Sequence, residues 1–198
     1  DVTDLTEPDW VEVRKEFGYV FQGSALFDSL SVFENVAYAL REHRNWPEER
    51  TAERVAECLD AVGLAGIEST MPAELSGGMR KRVGVARAIA LEPKAILYDE
   101  PSTGLDPANS RRIGELIQSL RCKLEITSVI VTHDLKLCFE ISDRVGLLMN
   151  GHLVADGSVD EIRQSPLAFV RDFLAGGTEL DLTPASDRSV DEERSHGA

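Results

Sequence analysis

The chain has 198 residues, 42% hydrophobic and 28% charged, which is enough for one substantial core with a helical insertion and too little for two large domains. Its formal charge of −14 excludes broad binding to the nucleic-acid backbone, which depends on Lys and Arg displacing counterions, and leaves room only for a local basic patch. No apolar run approaches the ~18 residues of a membrane span and no basic-then-apolar leader opens the chain, so a membrane role is expected to go through a partner.

Residues 1–16 are mostly polar and give a weak structural signal. Residues 17–21 read as a short strand that runs into Gln22, Gly23 and Ser24. A Gln at a strand end can offer its amide oxygen to a metal or water and its NH₂ to a phosphate. Val32, Phe33, Val36, Ala37 and Leu40 then recur at helical spacing behind Ser31, a good cap. Pro47 is placed to open a second helix, whose stripe of Val55, Cys58, Leu59 and Val62 ends at Gly63. This stretch is all helical whereas the chain beyond it alternates strand and helix, so residues 31–90 are expected to form a helical subdomain set into an α/β core. Cys58, Cys122 and Cys138 lack metal-site spacing and are expected to be reduced structural thiols.

Leu75, Ser76, Gly77, Gly78 and Met79 precede three basic residues, Arg80, Lys81 and Arg82, and a helix-forming run. Ser76 can cap that helix, the glycines let a ligand approach the backbone, and the free N–H groups make an anion site. Cations at a helix's own positive end oppose its dipole, so this basic run is expected to serve an external anion.

Residues 95–98 then run into two adjacent carboxylates, Asp99 and Glu100, and Pro101, Ser102 and Gly104 forbid the strand from continuing. The acids are therefore expected at a strand's carboxyl end, where open α/β sheets keep their ligands. Neighbours on an extended backbone point to opposite sides. Asp99 suits a hard cation such as Mg²⁺, which keeps several waters in phosphate sites, and Glu100 is left free to polarise a water as general base.

Pro107 can open a helix to about Arg121, and residues 127–131 make a strand that ends in Thr132, His133 and Asp134. His133 at that position can donate to a phosphate or orient a water. After a helix over residues 135–141, Asn150-Gly151 between two apolar runs signals a hairpin, so the sheet is expected to close with an antiparallel pair. Residues 166–174 read as a last helix, and residues 177–198 as an acidic disordered tail.

In this order, from about Phe17 to Asp156, the motifs resemble the ATP-binding subunit of an ATP-binding-cassette (ABC) transporter: Gln22 as Q-loop, residues 75–79 as signature loop, residues 95–100 as Walker B, Gly104-Leu105-Asp106 as D-loop and His133 as switch histidine. The resemblance implies an α/β, P-loop NTPase-type ABC ATPase core with an inserted helical subdomain, working as a dimer on ATP and Mg²⁺. It implies that Ser76, Gly77 and Gly78 contact the γ-phosphate of a nucleotide held mainly by the other subunit. Asp99, with Gln22, would serve Mg²⁺, and Glu100 would activate the hydrolytic water. His133 would steady the transferring phosphoryl, Asp106 would link the two sites, and Gln22 would connect the nucleotide to the permease face. Met79 where most cassettes have Gln, the run over residues 98–107 and the ending over residues 166–176 look like the ATPases of Mce/Mla-type lipid transporters. That implies movement of phospholipid or another hydrophobic substrate at the cytoplasmic face of a bacterial inner membrane. The partners implied are an integral-membrane permease, a second ATPase subunit in a homodimer and an Mce/Mla-type substrate-binding protein, with no nucleic acid.

One departure matters. The pattern G-x-x-x-x-G-K-[ST] is absent, and no Gly in the chain is followed by Lys. The expectation is therefore a partial ABC ATPase domain over residues 1–176, lacking its N-terminal P-loop segment and inactive alone. The alternative is a naturally shortened, non-catalytic cassette that lends its signature loop to a partner ATPase. A soluble cassette protein of DNA repair or translation is a third reading, disfavoured by the acidic balance and the lack of long coiled-coil heptads.

Overall fold

The computed structural model describes residues 2–175 and divides into two units, Asp1–Ile141 and Ser142–Ala198. In the first unit, β1 (Phe17–Val20), β2 (Ala95–Asp99) and β3 (Thr127–Val131) form a parallel sheet in the order β1-β2-β3. Phe17 lies opposite Ala95, and Ala95 opposite Thr127. The register brings the carboxyl ends of β2 and β3 together, with Asp99 opposite Val131.

Ahead of the sheet, α1 (Glu7–Lys15) corrects the weak signal of the first sixteen residues. Thr6 and Asp9 close its first turn, the Thr6 hydroxyl lying 2.6 Å from the Asp9 carboxylate. No residue of α1 is buried, so it lacks the apolar stripe by which a helix is read. Just beyond it, the Glu16 carbonyl accepts the N–H groups of Lys94 and Ala95, which ties the segment to the start of β2.

Between β1 and β2 the chain is helical: α2 (Val32–His43), α3 (Glu48–Ala61), a single tight turn at Pro72–Glu74, and α4 (Gly77–Ile89). Ser31 caps α2 in a reciprocal box with Glu34. Val36 and Leu40 of α2, Val55 and Leu59 of α3, and Val83 and Ala86 of α4 share one buried core with Val20, Ile96 and Tyr98 of the sheet. Gly18 lets α4 press on β1, because a Cβ there would stand 2.7 Å from the Ala88 carbonyl oxygen. After β2 come α5 (Pro107–Leu124) and α6 (Leu135–Ile141), whose Ile113, Ile117, Leu120, Leu137 and Ile141 join the same core.

Alternation along the strands gives the sheet one buried face. The opposite face carries Phe17, Tyr19, Val129 and Val131, all exposed, with Phe21 just beyond β1. Parallel strands are ordinarily covered on both faces.

In the second unit, β4 (Arg144–Met149) and β5 (His152–Ser158) pair antiparallel around Asn150 and Gly151, both at positive φ as a two-residue hairpin turn demands. The hairpin is a two-stranded sheet of its own and does not close the parallel sheet. Its register runs from Arg144 opposite Ser158 to Met149 opposite His152 with a shift between Leu147 and Leu148, and an Arg144–Asp156 ion pair crosses the strands. α7 (Val159–Arg163), too short for periodicity to announce, is opened by a Ser158–Glu161 capping box, and α8 (Ala168–Leu174) begins two residues past Pro166. The expected tail over residues 177–198 lies outside the described residues. None of the three cysteines, all among the described residues, is in a disulfide. Cys58 is buried, which pushes its pKa up to about 11, Cys138 is half-buried and Cys122 is exposed.

Candidate functional site

β2 delivers Asp99 at its last position and then turns sharply. Glu100 adopts φ +47, a left-handed conformation that a non-glycine residue holds only when its surroundings impose it. Its N–H still bonds the Val131 carbonyl at 2.9 Å, so the backbone stays attached to β3 while the side chain swings toward the end of that strand. One carboxylate oxygen accepts the His133 N–H at 3.0 Å and lies 2.8 Å from His133 Nδ1. The other accepts the Thr103 hydroxyl at 3.0 Å. The two acids thus meet different surroundings, through this reversal of backbone hand and not through simple strand alternation.

Burial pushes the Glu100 carboxyl up. The side-chain hydrogen bonds from His133 and Thr103, the His133 charge and the His133 N–H outweigh it and hold the group below its ordinary value. Conversely, the Glu100 hydrogen bond first and its charge second raise His133. The carboxylate is 18% exposed and the imidazole 77%, so the acid is sheltered while its partner reaches into solvent. Thr103, which sequence reasoning passed over, completes the hold on Glu100. Its only signal was its place three residues on, within hydroxyl reach of the acid.

The basic run at the start of α4 corrects the expectation of an anion-facing patch. Arg80 donates to the Leu75 carbonyl at 2.7 Å, and Arg82 to the Val62 and Gly63 carbonyls at 3.4 Å. Lys81 turns inward and donates to the carbonyls of Gln22 at 2.7 Å and Glu100 at 3.1 Å. All three cations have main-chain oxygens as partners, which offsets their unfavourable placement at the helix's positive end.

Gln22 sits in the turn after β1 with its side chain exposed, joined to the Glu100 turn through Lys81. Ser76 caps α4, its hydroxyl accepting the Met79 N–H at 3.3 Å, and Gly77 and Gly78 form the first positions of that helix. Asp106 caps α5 by accepting the N–H groups of Ala108 and Asn109 at 3.0 Å. Asn109 in turn lies beside Gly78, where an added Cβ would be 3.7 Å from its amide. The structure therefore brings together Glu100, His133 and, through Lys81, Gln22, and it brings Gly78 beside the Asp106 cap. It does not bring Ser76, Gly77 or Gly78 into hydrogen-bond contact with the Glu100–His133 pair, whose side chains have each other, the His133 N–H and Thr103 as partners among the described residues. An open cavity of about 460 Å³ adjoins the pair, with Ser102, Thr103, Leu105, Ser110, His133 and Asp134 among its lining residues.

Asp99 is the carboxylate that Mg²⁺ would meet here. Among the described residues no cluster of three His, Cys, Asp or Glu side chains is arranged to hold a metal. Asp99 is a half-buried carboxylate at the strand end, beside a turn whose own acid is already engaged. One carboxylate with the ion's retained waters is a set that Mg²⁺ accepts in phosphate sites. Among the described residues no helix is long and apolar enough to cross a membrane.

The family model described as ABC transporter matches residues 1–103. The chain is 44% identical over 182 residues to the intermembrane phospholipid transport system ATP-binding protein MlaF of Escherichia coli K12, covering 90% of this chain and 68% of that protein. It is 40% identical over 176 residues to the probable ribonucleotide transport ATP-binding protein mkl of Mycobacterium leprae, covering 89% of this chain and 51% of that one. The chain thus spans about half the length of the mkl-type relatives it matches. The dimeric cassette MJ0796, solved in a post-hydrolysis state with ADP and phosphate, superposes with a TM-score of 0.70 at 31% identity, over 79% of this chain and 68% of that one.

A match from residue 1 corrects the expectation that the likeness begins near Phe17 and that the cassette lacks its N-terminal P-loop segment. The residues ahead of β1 fall within the family model, and they fold as α1, hydrogen-bonded into β2 just past its end. The fold class is accordingly an α/β ABC ATPase core with its helical insertion, without that qualifier.

Proposed function

Because the chain belongs to the ABC transporter family, we propose that it is the ATP-binding subunit of a transporter, coupling ATP hydrolysis to movement of a phospholipid or other hydrophobic substrate at the cytoplasmic face of a bacterial inner membrane. The observation that carries the proposal is the Glu100 carboxylate, held on both oxygens by His133 and Thr103 at the end of β2. Held ionised and aimed, it is fitted to take a proton from an attacking water, while His133 faces solvent with a raised pKa, fitted to meet a negatively charged phosphoryl group. Catalysis of phosphoryl transfer is mostly positioning and electrostatics, which such an array supplies. Asp99 would hold Mg²⁺, which supplies charge neutralisation at the phosphates. Ser76, Gly77 and Gly78 would contact the γ-phosphate of the nucleotide of a second copy, and Asp106, rigid as a helix cap, would link the two sites.

A permease would meet the side of the chain near Gln22, where Phe27 and Tyr38 are exposed with ring centroids 5.0 Å apart. Kinship to MlaF favours a phospholipid as cargo, and the name of mkl supplies the competing class, a ribonucleotide. The test places the protein with its permease in vesicles and measures ATP turnover with phospholipid or ribonucleotide as cargo. Glu100→Gln is expected to lower turnover by at least about 100-fold, and phospholipid to stimulate the wild type. Turnover indifferent to Glu100→Gln refutes the assigned base.

A further inference from the structure

Among the described residues Lys81 is the only charged side chain fully buried in the fold, at 6% exposure. An ammonium is costly to bury and is kept only where hydrogen bonds repay its lost hydration. Here burial lowers its pKa, and the charges of Glu100 and then Asp99 push it back up. Its two acceptors belong to different loops, Gln22 after β1 and Glu100 after β2, far apart in sequence.

The same helix holds the first of those loops at two more places. Gly84, one turn on, lies against Ser24, where an added Cβ would meet the Ser24 Cβ at 3.4 Å. Arg87 donates to the Ser24 carbonyl at 2.8 Å and the Ala25 carbonyl at 2.7 Å. Ser24, Ala25 and Glu100 all carry positive φ, at +65, +45 and +47. Three strained non-glycine residues thus present their carbonyls to two cations of one helix, and backbone strain of this kind persists only where its surroundings over-determine it.

We propose that Lys81 is a positioning residue for Glu100: its ammonium locks the loop after β1 to the turn after β2 through their main-chain carbonyls, so that Glu100 meets His133 only while the Gln22 loop is seated on α4. The meaning of that lock for catalysis rests on the function proposed above; the lock itself does not. Without the ammonium the Gln22 carbonyl loses its partner, while the Glu100 carbonyl keeps only the Thr103 N–H at 3.3 Å. Both ends then loosen together.

Residue-resolved amide hydrogen exchange on the whole chain, without nucleotide, tests this. Lys81→Met is expected to speed exchange at Ser24, Glu100, Thr103 and His133 together, by about tenfold or more, while α5 changes less than about twofold. Lys81→Arg, which can still reach two carbonyls, is expected to restore protection at all four. Arg87→Leu, which frees Ser24 and Ala25 without touching Glu100, is expected to speed exchange at Glu100 and His133 as well. A folded Lys81→Met protein with these amides unchanged, or with only one loop loosened, overturns the proposal. Should Lys81→Met fail to fold, the Arg variants decide. A folded Lys81→Arg protein unprotected at both loops, or Arg87→Leu loosening Ser24 alone, overturns it equally. None of these measurements needs ATP turnover, so the lock and the proposed function can fail separately.

Discussion

Asn35 sits in the first turn of α2 with no solvent exposure, and its amide fastens the segment between the Gln22 loop and that helix. Its oxygen accepts the Phe27 N–H at 2.8 Å, and its NH₂ reaches the carbonyls of Phe27 at 3.1 Å, Leu30 at 3.0 Å and Ser31 at 3.0 Å. Replacing it by Ala strands these groups unequally. The Phe27 carbonyl is also reached by the Leu30 N–H, and the Ser31 carbonyl by the N–H of residue 35 itself, so both keep a partner. The Phe27 N–H and the Leu30 carbonyl lose theirs. A buried group left unpaired costs about 1–3 kcal/mol, and water reaching the half-open Phe27 recovers part of that, so about 2–3 kcal/mol is expected in all. Urea unfolding followed by fluorescence of Trp10 and Trp46 reads it as a midpoint lowered by ~1 M at unchanged slope. Asn35→Asp keeps the shape but turns a charged acceptor toward three carbonyls, and it is expected to cost at least as much at neutral pH. A loss under about 0.5 kcal/mol for Asn35→Ala, or an Asp variant more stable than the Ala variant, would refute this account of the loop.

The Glu100–His133 pair makes stability depend on pH in a defined window. His133 is raised above 6.5, so its share is full below that value and is lost as the pH climbs through the raised one. Glu100 is lowered below 4.5, so its share is full above that value and is lost as the pH falls through the lowered one. The difference in unfolding midpoint between wild type and His133→Ala is expected to be greatest between pH 4.5 and 6.5 and to shrink on either side, and a flat profile contradicts the pairing. By NMR the His133 titration midpoint is expected to fall in Glu100→Gln. Ser76→Ala is expected to cost ~1 kcal/mol in thermal unfolding and Ser76→Gly only a few tenths, because a glycine still suits a cap position. The open sheet face of Phe17, Tyr19, Val129 and Val131 is expected to bind an apolar dye such as ANS, and paired Tyr19→Lys and Val131→Lys substitutions to abolish the signal.

The parts of the fold that were legible were those whose sequence signal is local. Ser31, Pro107 and Asn150-Gly151 each answer a main-chain requirement within a few residues, and each stands at the helix start or turn that requirement defines. The buried stripes of α2 and α3 were legible for the same reason, since a helix repeats its core-facing position every turn. α1 was not legible because it buries nothing, and α7 because five residues are too few for a period to show. Asp99, Glu100 and His133 could be placed at strand ends from sequence, yet the carboxylate–imidazole contact could not. It depends on Glu100 leaving the strand conformation, a reversal held by Thr103 three residues on and, from elsewhere in the chain, by Lys81 and β3.

The basic run shows where such reading misleads. Charge at a helix end invites an electrostatic interpretation, because dipole and side chain act on the same spot. Lys and Arg, however, have stems long enough to carry the charge a full turn away from its Cα, and their choice is settled by what lies within that reach. At the start of α4 the reachable groups are carbonyls that the loops leave open or only weakly paired: Leu75 for Arg80, Gln22 and Glu100 for Lys81, and Val62 and Gly63 for Arg82. Each is a hydrogen bond to a charged donor, the stronger kind, and each completes the pairing of a main-chain oxygen. The net effect is that a sequence feature suggestive of ligand binding holds three loops against one helix, whose N-terminus is itself engaged by the Ser76 hydroxyl on the Met79 N–H.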